Sequence, residues 1–298
     1  MGGFFYAIIE KMKKGSTPTL KVIVATHKPY TMPTDSLYQP LLVGSHFYKT
    51  QKNDRKLPKN FAYDNTGKHI SDKNHNYSEL TGLYWLWQNR AKEDSNEDSF
   101  YGLVHYRRFL TSKTDKQILT QKELQDLLFN SHKNIKYDII LPKKRHYYIE
   151  NLYNHYAHTL HIEPLDKTRQ IIEQSHPAYL AEFDRLKTRR SAHMFNIFIM
   201  KKPFFNEYCE FLFDILSTLE KSLSVAEINQ YDEFHARFFG RISELLLDVF
   251  LYTKYPDLEH RSDVLELDIL ELEPVNWPLK IRSFLLAKFF GKKYHKSY

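Results

Sequence analysis

The sequence predicts an α/β fold in which a central, mostly parallel sheet is flanked by helices. Three apolar runs are typical of buried strands: residues 20–26, 101–104 and 194–200. Three longer segments carry apolar side chains at the three- and four-residue spacing of helices: residues 77–89, 206–223 and 233–255. Because strands and helices alternate along the chain, the pattern favours an α/β sheet.

The first half of the chain supplies the clearest local signals. The strand 20–26 gives way at Pro29 to residues 31–60, whose prolines and polar residues predict an irregular segment. The helix that follows begins near Asn76, a candidate N-cap, with Glu79 at the favoured position three residues later. Its apolar face predicts a helix packed on the sheet.

The second half repeats the alternation. Residues 122–130 and most of 165–187 are predicted to be helical, and 137–141 form a short strand stopped by Pro142. Residues 143–163 hold many histidines and tyrosines and are interpreted as an acceptor-binding region.

Composition limits the class of protein. The 298 residues suffice for one large α/β domain, which we place at 1–275, followed by a tail at 276–298. A single cysteine, Cys209, excludes an internal disulfide framework and a CxxC zinc site, and fits a reducing cytosol. Neither a GxGxxG nor a GxxxxGK[ST] motif is present, and no run of 18 apolar residues occurs. A net charge of +7 fits phosphorylated substrates, nucleic acid or an anionic membrane.

The segment 101–110 combines a buried strand with cations at its end. His105, Arg107 and Arg108 follow the strand directly, and ligands of open α/β sheets bind outside the carboxyl ends of strands. Two adjacent guanidiniums predict an anion between them, and a diphosphate matches their planar geometry. The alternative is that both arginines pair with nearby carboxylates.

The two ends of the chain carry basic residues. After Glu273 there is no acidic residue, and lysines and arginines alternate with apolar residues through 280–296. This pattern predicts a basic amphipathic helix on an anionic leaflet, the alternative being a terminal helix packed on the domain. Residues 1–14 have the wrong charge order for a secretory signal.

Several motifs resemble one family. They are residues 22–30 (VIVATHKPY), 64–67 (DNTG), 71–74 (SDKN), 77–85 (YSELTGLYW), 105–108 (HYRR), 193–195 (HMF) and 237–240 (RFFG) with Glu244. The chain resembles the DUF4422 glycosyltransferases of bacterial capsule, exopolysaccharide and O-antigen gene clusters. The resemblance implies a GT-A-like fold and transfer of a galactosyl group, galactofuranosyl included, from a UDP-sugar. We expect an inverting enzyme on the cytoplasmic face of the membrane, peripherally attached, that acts on a lipid-linked oligosaccharide.

The diphosphate of such a donor needs positive charge as it leaves. GT-A enzymes usually supply it with Mn²⁺ or Mg²⁺ on an Asp-x-Asp motif, but no such motif stands at the expected position here. We therefore expect Arg107 and Arg108, assisted by Lys73, to replace the metal, although a divalent ion is not excluded by the sequence. The cofactor prediction is none, with Mn²⁺ or Mg²⁺ as the alternative.

The remaining donor-binding candidates follow strands and turns. They are Thr26, His27 and Lys28 after the first strand, Asp64, Asn65 and Asn74 in the polar motifs, and His105. The alternative for the Asp and Asn residues is ordinary turn chemistry.

Glu244 and His193 are the candidates for a general base that removes the acceptor proton. Glu244 shares one helix face with Arg237 and Gly240, which is also the spacing of a simple salt bridge within a helix. His193 precedes a predicted strand, where a histidine is more often structural.

Other functions fit the sequence less well. The histidines 155, 158 and 161 are three residues apart, as in a zinc site on a helix, but we predict no metal there. The competing classes are a polysaccharide-binding protein without catalysis and a nucleic-acid-binding module. Because basic residues are scattered outside the tail, we predict no nucleic acid partner.

Overall fold

A computed structural model describes residues 18–48, 60–112, 117–132 and 134–294. The predictions for residues 1–14 and for Lys296 lie outside these ranges. The strands are β1 Leu20–Thr26, β2 Tyr38–Leu42, β3 Ala62–Tyr63, β4 Phe100–His105, β5 Arg108–Thr111, β6 Ile139–Pro142, β7 Arg145–His146, β8 Ser191–Ala192, β9 Phe198–Lys201 and β10 Val264–Glu271. The α-helices are α1 Asn74–Tyr77, α2 Leu80–Leu86, α3 Gln121–Leu128, α4 Leu152–Thr159, α5 Glu163–Ser175, α6 Leu180–Asp184, α7 Lys202–Ser222, α8 Val225–Asn229, α9 Phe238–Lys254 and α10 Trp277–Phe290.

The main sheet is mixed, so the prediction of a mostly parallel sheet is wrong. Its order is β3-β2-β1-β4-β5-β10-β6-β9, and β4 also pairs with β9. The β1–β2, β1–β4, β2–β3 and β6–β10 pairs are parallel, whereas β4–β5, β5–β10, β4–β9 and β6–β9 are antiparallel. Only two residues, Tyr106 and Arg107, connect β4 to β5, and so short a connection permits an antiparallel hairpin but no crossover.

The central strand β1 separates two apolar layers. Its side chains alternate, with Ile23 and Ala25 facing a large core built with α2, α7 and α9. Val22 and Val24 face a smaller core on the other side of the sheet, which α3 covers. This double coverage explains why β1 is an almost continuous apolar run.

Several predicted elements are shorter or interrupted. The helix expected over 77–89 breaks at Ser78, whose φ is +53°, and it resumes as α2 before a π-helical turn at Trp87–Ala91. Asn76 is not its cap, because its amide donates to the carbonyl of Ala236. The strand expected over 194–200 begins only at Phe198.

The predicted tail helix forms as α10, but its apolar side chains do not lie on one face. In α10, Ala287 is buried against the domain, while Trp277, Ile281 and Phe289 are exposed. The helix is therefore apolar on two sides. Within the residues described, none of the helices has the length and apolar composition needed to cross a bilayer. The domain boundary at 275 stays a prediction.

Candidate active site

A cavity of about 840 Å³ opens where β1 and β4 end. Ala25 and His105 are paired in register at this edge, so both strands deliver their last residues to one wall. The other walls include β7, α4, α9 and the C-terminal helix α10. The volume lies within the range of about 300–1,000 Å³ that is typical of small-molecule sites.

The structure divides the predicted site residues into two groups. The first lines the cavity: Thr26, His27, Asn74, His105, Arg107, Arg108 and Glu244. The second lies away from the cavity lining: Lys28, Asp64, Asn65, Lys73 and His193. Residues of the first group remain candidates for ligand contact, whereas those of the second have contacts within the protein.

Asp64 is a fully buried structural carboxylate. The backbone N–H groups of Gly44 and Ser45 donate to its oxygens at 2.8 and 3.0 Å. The hydroxyls of Ser71 and Thr81 donate to it at 2.5 and 2.6 Å. Because these donors come from separate loops and helices, Asp64 joins the segments behind the cavity, and this geometry argues against a role in donor binding.

The other members of the second group also contact the protein itself. The Lys73 ammonium lies 2.7 Å from the Glu220 carboxylate, and Lys73 does not line the cavity. Lys28 lies against the ring of Tyr106, 5.4 Å from its centroid. The structure thus argues against Lys73 as the third cation of the site.

His193 bridges two carboxylates in the protein interior. Its Nδ1 lies 2.5 Å from Asp248 Oδ1 and its Nε2 lies 2.9 Å from Glu266 Oε1. Burial alone lowers the pKa of His193, but the two carboxylates outweigh that effect and raise it to about 9. A buried imidazolium with both nitrogens engaged cannot accept a further proton, so this geometry argues against His193 as the base.

Replacing His193 by leucine is expected to lower the free energy of unfolding by about 3–5 kcal/mol, because the Asp248 charge would stay buried without a partner. Urea unfolding followed by circular dichroism measures the change. The control is Glu266→Gln, which should cost far less because that side chain is 40% exposed to solvent. Equal stability of His193→Leu and the parent protein would contradict the structural assignment.

The same bridge predicts a pH dependence of stability. The pKa of His193 is raised from 6.5 to about 9 in the folded state. Its contribution to stability is therefore fully present below about pH 6.5 and is lost as the pH rises through about 9. Unfolding free energies measured from pH 6 to 10 should show this decline, and the leucine variant should lack it.

Arg107 and Arg108 line the cavity, but each also pairs with a carboxylate. Arg107 Nη1 lies 2.7 Å from Glu273, and Arg108 Nε lies 3.3 Å from Glu271. The alternative interpretation, pairing with nearby carboxylates, is therefore confirmed for both arginines, and the diphosphate interpretation stays a prediction. Each pair uses one nitrogen of a guanidinium, so the remaining N–H groups are available to an anion.

The sequence analysis missed most of the positive charge in the cavity. Four further cations line it: Arg145, Arg237, Arg241 and Lys280. In the described part of the chain, none of the four has a salt bridge to a carboxylate. Helical spacing could have identified Arg241, which lies three residues before Glu244, whereas no local signal marks Arg145.

Arg108 and Arg145 meet on one aromatic ring. Their guanidinium carbons lie 4.3 and 5.8 Å from the centroid of Phe195. Phe195 and Asn196 both have positive φ, +75° and +53°, which is uncommon for residues other than glycine. This tight turn, which replaces the predicted start of β9, places the ring within cation–π distance of both guanidiniums.

Buried hydrogen bonds hold that turn against α9 and Glu79. The Asn196 amide donates to Glu79 Oε1 at 2.7 Å and to the carbonyl of Gly240 at 3.1 Å. Ser243 Oγ donates to Asn196 Oδ1 at 3.0 Å. Glu79 is thus a structural acceptor at the cavity wall, and the predicted capping hydrogen bond does not form.

Glu244 projects from α9 into the cavity, where both positively and negatively charged side chains act on it. Burial raises its pKa to about 6. Arg241, Arg108 and Arg145 oppose this rise, whereas the Glu79 carboxylate adds to it. In the described residues, no side chain donates a hydrogen bond to this carboxylate. A half-buried, unengaged carboxylate titrating near neutrality is suited to general-base catalysis.

His105 is fixed at the strand end. Its Nε2–H donates to the carbonyl of Phe195 at 2.5 Å, and burial lowers its pKa. A neutral His105 of this tautomer holds the Phe195 turn against β4.

The segment rich in histidine and tyrosine forms part of the cavity wall. Tyr147, His155 and Tyr156 line it. His155 and His158 both place Nδ1 on the buried carboxylate of Glu150, at 3.0 and 2.7 Å. These two histidines therefore contact a shared carboxylate. They are not arranged with their free nitrogens around a common point, as a zinc site would require.

Three of the carboxylates that line the cavity have partners within the protein. Glu271 and Glu273 pair with arginines, and Glu79 accepts a hydrogen bond from Asn196. Across the residues described, no group of three histidine, cysteine, aspartate or glutamate side chains converges on a point that could hold a metal.

The chain belongs to the family described as a domain of unknown function, DUF4422, whose family model matches residues 21–255. It is also similar to a solved structure, the apo form of the WbbM bifunctional glycosyltransferase, with 27% sequence identity and a TM-score of 0.71. That similarity covers 86% of this chain but 46% of the other, so this chain spans about half of its length. No curated protein matches the sequence.

Proposed function

We propose that this protein is a glycosyltransferase that moves a hexosyl group from a UDP-sugar to an acceptor hydroxyl. The observation that carries the proposal is the cavity at the ends of β1 and β4, which is lined by six arginine and lysine side chains and by Glu244, a carboxylate whose pKa is about 6. Leaving-group stabilisation and proton removal are the two tasks of glycosyl transfer, and this arrangement supplies a group for each. Similarity to a bifunctional glycosyltransferase supports the same class.

In this proposal the nucleotide lies against the end of β1 and the diphosphate against the cations. Thr26 and His27 face the base and ribose, and the His27 ring packs edge-on to Tyr106. Arg108 and Arg145, which both lie against the Phe195 ring, bind the phosphate oxygens. These cations take the place that a metal has in related folds, so we propose a metal-independent enzyme.

The proposed reaction is an inverting displacement. The acceptor oxygen forms a bond to the anomeric carbon while the bond from that carbon to the phosphate oxygen breaks. The electron pair of the broken bond stays on UDP, where the cations stabilise it, and the acceptor proton passes to Glu244. Glu244, Arg108 and Arg145 all line one cavity, which supports the proposal that the base lies near the leaving-group site.

The finer assignments rest on the family motifs. We propose a galactosyl donor, galactofuranosyl included, and a lipid-linked oligosaccharide of a bacterial capsule, exopolysaccharide or O-antigen as acceptor. The aromatic and histidine side chains of Tyr147, His155 and Tyr156 form the wall that would receive the acceptor sugar.

UDP is expected to raise the melting temperature of the protein, because a ligand that binds only the folded state stabilises it. A thermal-shift screen of UDP, GDP and CMP, each with and without Mn²⁺, measures this. UDP-galactose and UDP-galactofuranose should also release UDP slowly without an acceptor, and EDTA should leave that release unchanged. Failure of every nucleotide to bind would contradict the proposed function, and a strict Mn²⁺ requirement would contradict metal independence.

We further propose that α10 attaches the protein peripherally to the cytoplasmic face of the membrane. Among the described residues, half of the exposed large apolar side chains lie on this helix: Trp277, Ile281, Leu285, Phe289 and Phe290. Arg282 and Lys292 are exposed beside them, and residues 274–294 contain no acid. Apolar side chains flanked by cations fit an anionic lipid surface.

Phe289→Glu is expected to weaken binding to vesicles that contain phosphatidylglycerol by about tenfold or more, since it removes apolar area and adds a negative charge. Co-sedimentation measures the affinity. Val225→Glu changes an equally exposed apolar residue far from α10 and serves as the control. Equal loss in both variants, or no binding by the parent protein, would refute the membrane assignment.

A further inference from the structure

The C-terminal helix forms part of the cavity although it lies beyond the family-matched residues 21–255. Its inner side carries Lys280, which lines the cavity together with Arg108 and Arg145. The helix is thus more than an attachment to the catalytic domain, because it adds a cation to the site.

Lys280 has no carboxylate partner in the part of the chain that the structure describes. Its ammonium lies over the ring of Trp277, 5.2 Å from Nζ to the centroid. Burial, with Arg145 and Arg108 acting in the same direction, lowers the pKa of Lys280 to about 8, although Glu271 and Glu244 oppose the shift. A cation held among other cations is favourable only when an anion joins them.

The position of Lys280 is fixed from both ends of its helix. Asn276 Oδ1 accepts from the N–H of Leu279 at 3.1 Å and caps the first turn. Beyond the last turn, Lys293 Nζ donates to the carbonyls of Ala157 and Leu160 at the C-terminal end of α4. The helix therefore holds Lys280 at the cavity without requiring a ligand to order it.

We propose that Lys280 binds a phosphate of the nucleotide donor, so that α10 completes the donor site. This assignment rests on the proposed function and adds to it a specific phosphate ligand outside the family domain. Arg108 and Arg145 reach the diphosphate from the sheet side, and Lys280 reaches it from the helix side.

Isothermal titration of UDP, uridine and inorganic pyrophosphate into full-length variants tests the assignment. Lys280→Gln should raise the Kd for UDP by about ten- to a hundredfold, as expected for loss of a charge-assisted hydrogen bond, and should leave uridine binding unchanged. Lys280→Arg should retain most of the affinity. Lys122→Gln removes the same charge from an exposed position outside the cavity and should bind UDP as the parent does.

The outcomes separate the two proposals. If the parent binds UDP and Lys280→Gln binds it equally tightly, the phosphate assignment is wrong and the proposed function stands. If Lys280→Gln loses uridine and UDP affinity in equal measure, Lys280 is structural and the assignment is again wrong. If the parent binds neither UDP nor pyrophosphate, both proposals fail.

Discussion

Replacing Glu244 by glutamine is expected to lower kcat by about two to four orders of magnitude, which is the usual contribution of a general base. Glutamine keeps the shape of the side chain but cannot accept the acceptor proton. Because no side chain in the described residues donates a hydrogen bond to this carboxylate, the substitution should leave the unfolding free energy nearly unchanged. Initial rates of the proposed glycosyl transfer and urea unfolding measure the two quantities.

The pKa of Glu244 fixes the pH dependence of the same rate. Burial raises that pKa to about 6, so the carboxyl group is protonated, and inactive as a base, below that pH. We expect kcat/KM in the parent to fall as the pH drops through about 6. Glu210→Gln, an exposed substitution outside the cavity, should retain both full activity and this profile. Turnover by Glu244→Gln within tenfold of the parent would show that another group is the base.

Replacing Arg108 by glutamine is expected to lower kcat by about 10²–10³-fold, as does removal of one preorganised donor from a charged transition state. The charge on UDP grows as the glycosidic bond breaks, so the effect should fall on kcat more than on the Kd for UDP. Arg107 pairs with Glu273 and is more exposed than Arg108, so Arg107→Gln should have a smaller effect.

The control for Arg108 is an arginine of another surface. Arg185 is 62% exposed, pairs with Glu182 and does not line the cavity. Arg185→Gln should therefore leave kcat unchanged. If Arg108→Gln retained full kcat, the guanidinium would have no part in leaving-group stabilisation. Its role would then be limited to the salt bridge with Glu271.

Local signals predicted the parts of the site that lie at the ends of regular elements. The strand over residues 101–104 followed directly by His105, Arg107 and Arg108 was visible from the residue order, and these residues do line the cavity. The three- and four-residue spacing of Arg237, Gly240 and Glu244 likewise predicted that they share one side of a helix, and all three residues line the cavity.

Residue type alone misled the analysis where burial decides the role. Asp64 stands in a polar motif that suggests ligand binding, yet five donors from other segments of the chain surround it. His193 suggests a base, yet carboxylates 55 and 73 residues away engage both of its nitrogens. A hydrogen-bonding side chain is equally able to serve a ligand or the protein interior, and only its neighbours distinguish the two.

The amino-acid order by itself determined the α/β alternation, the strand ends that form the cavity edge and the helix face that carries Glu244, because each depends on contacts between near neighbours in the chain. The tertiary structure decided the mixed sheet, the pairing of Arg107 and Arg108 with glutamates, and the presence of Arg108, Arg145 and Lys280 in one cavity. The paired arginine and glutamate residues are up to 166 positions apart in the sequence, and packing of whole elements, rather than local periodicity, brings them together.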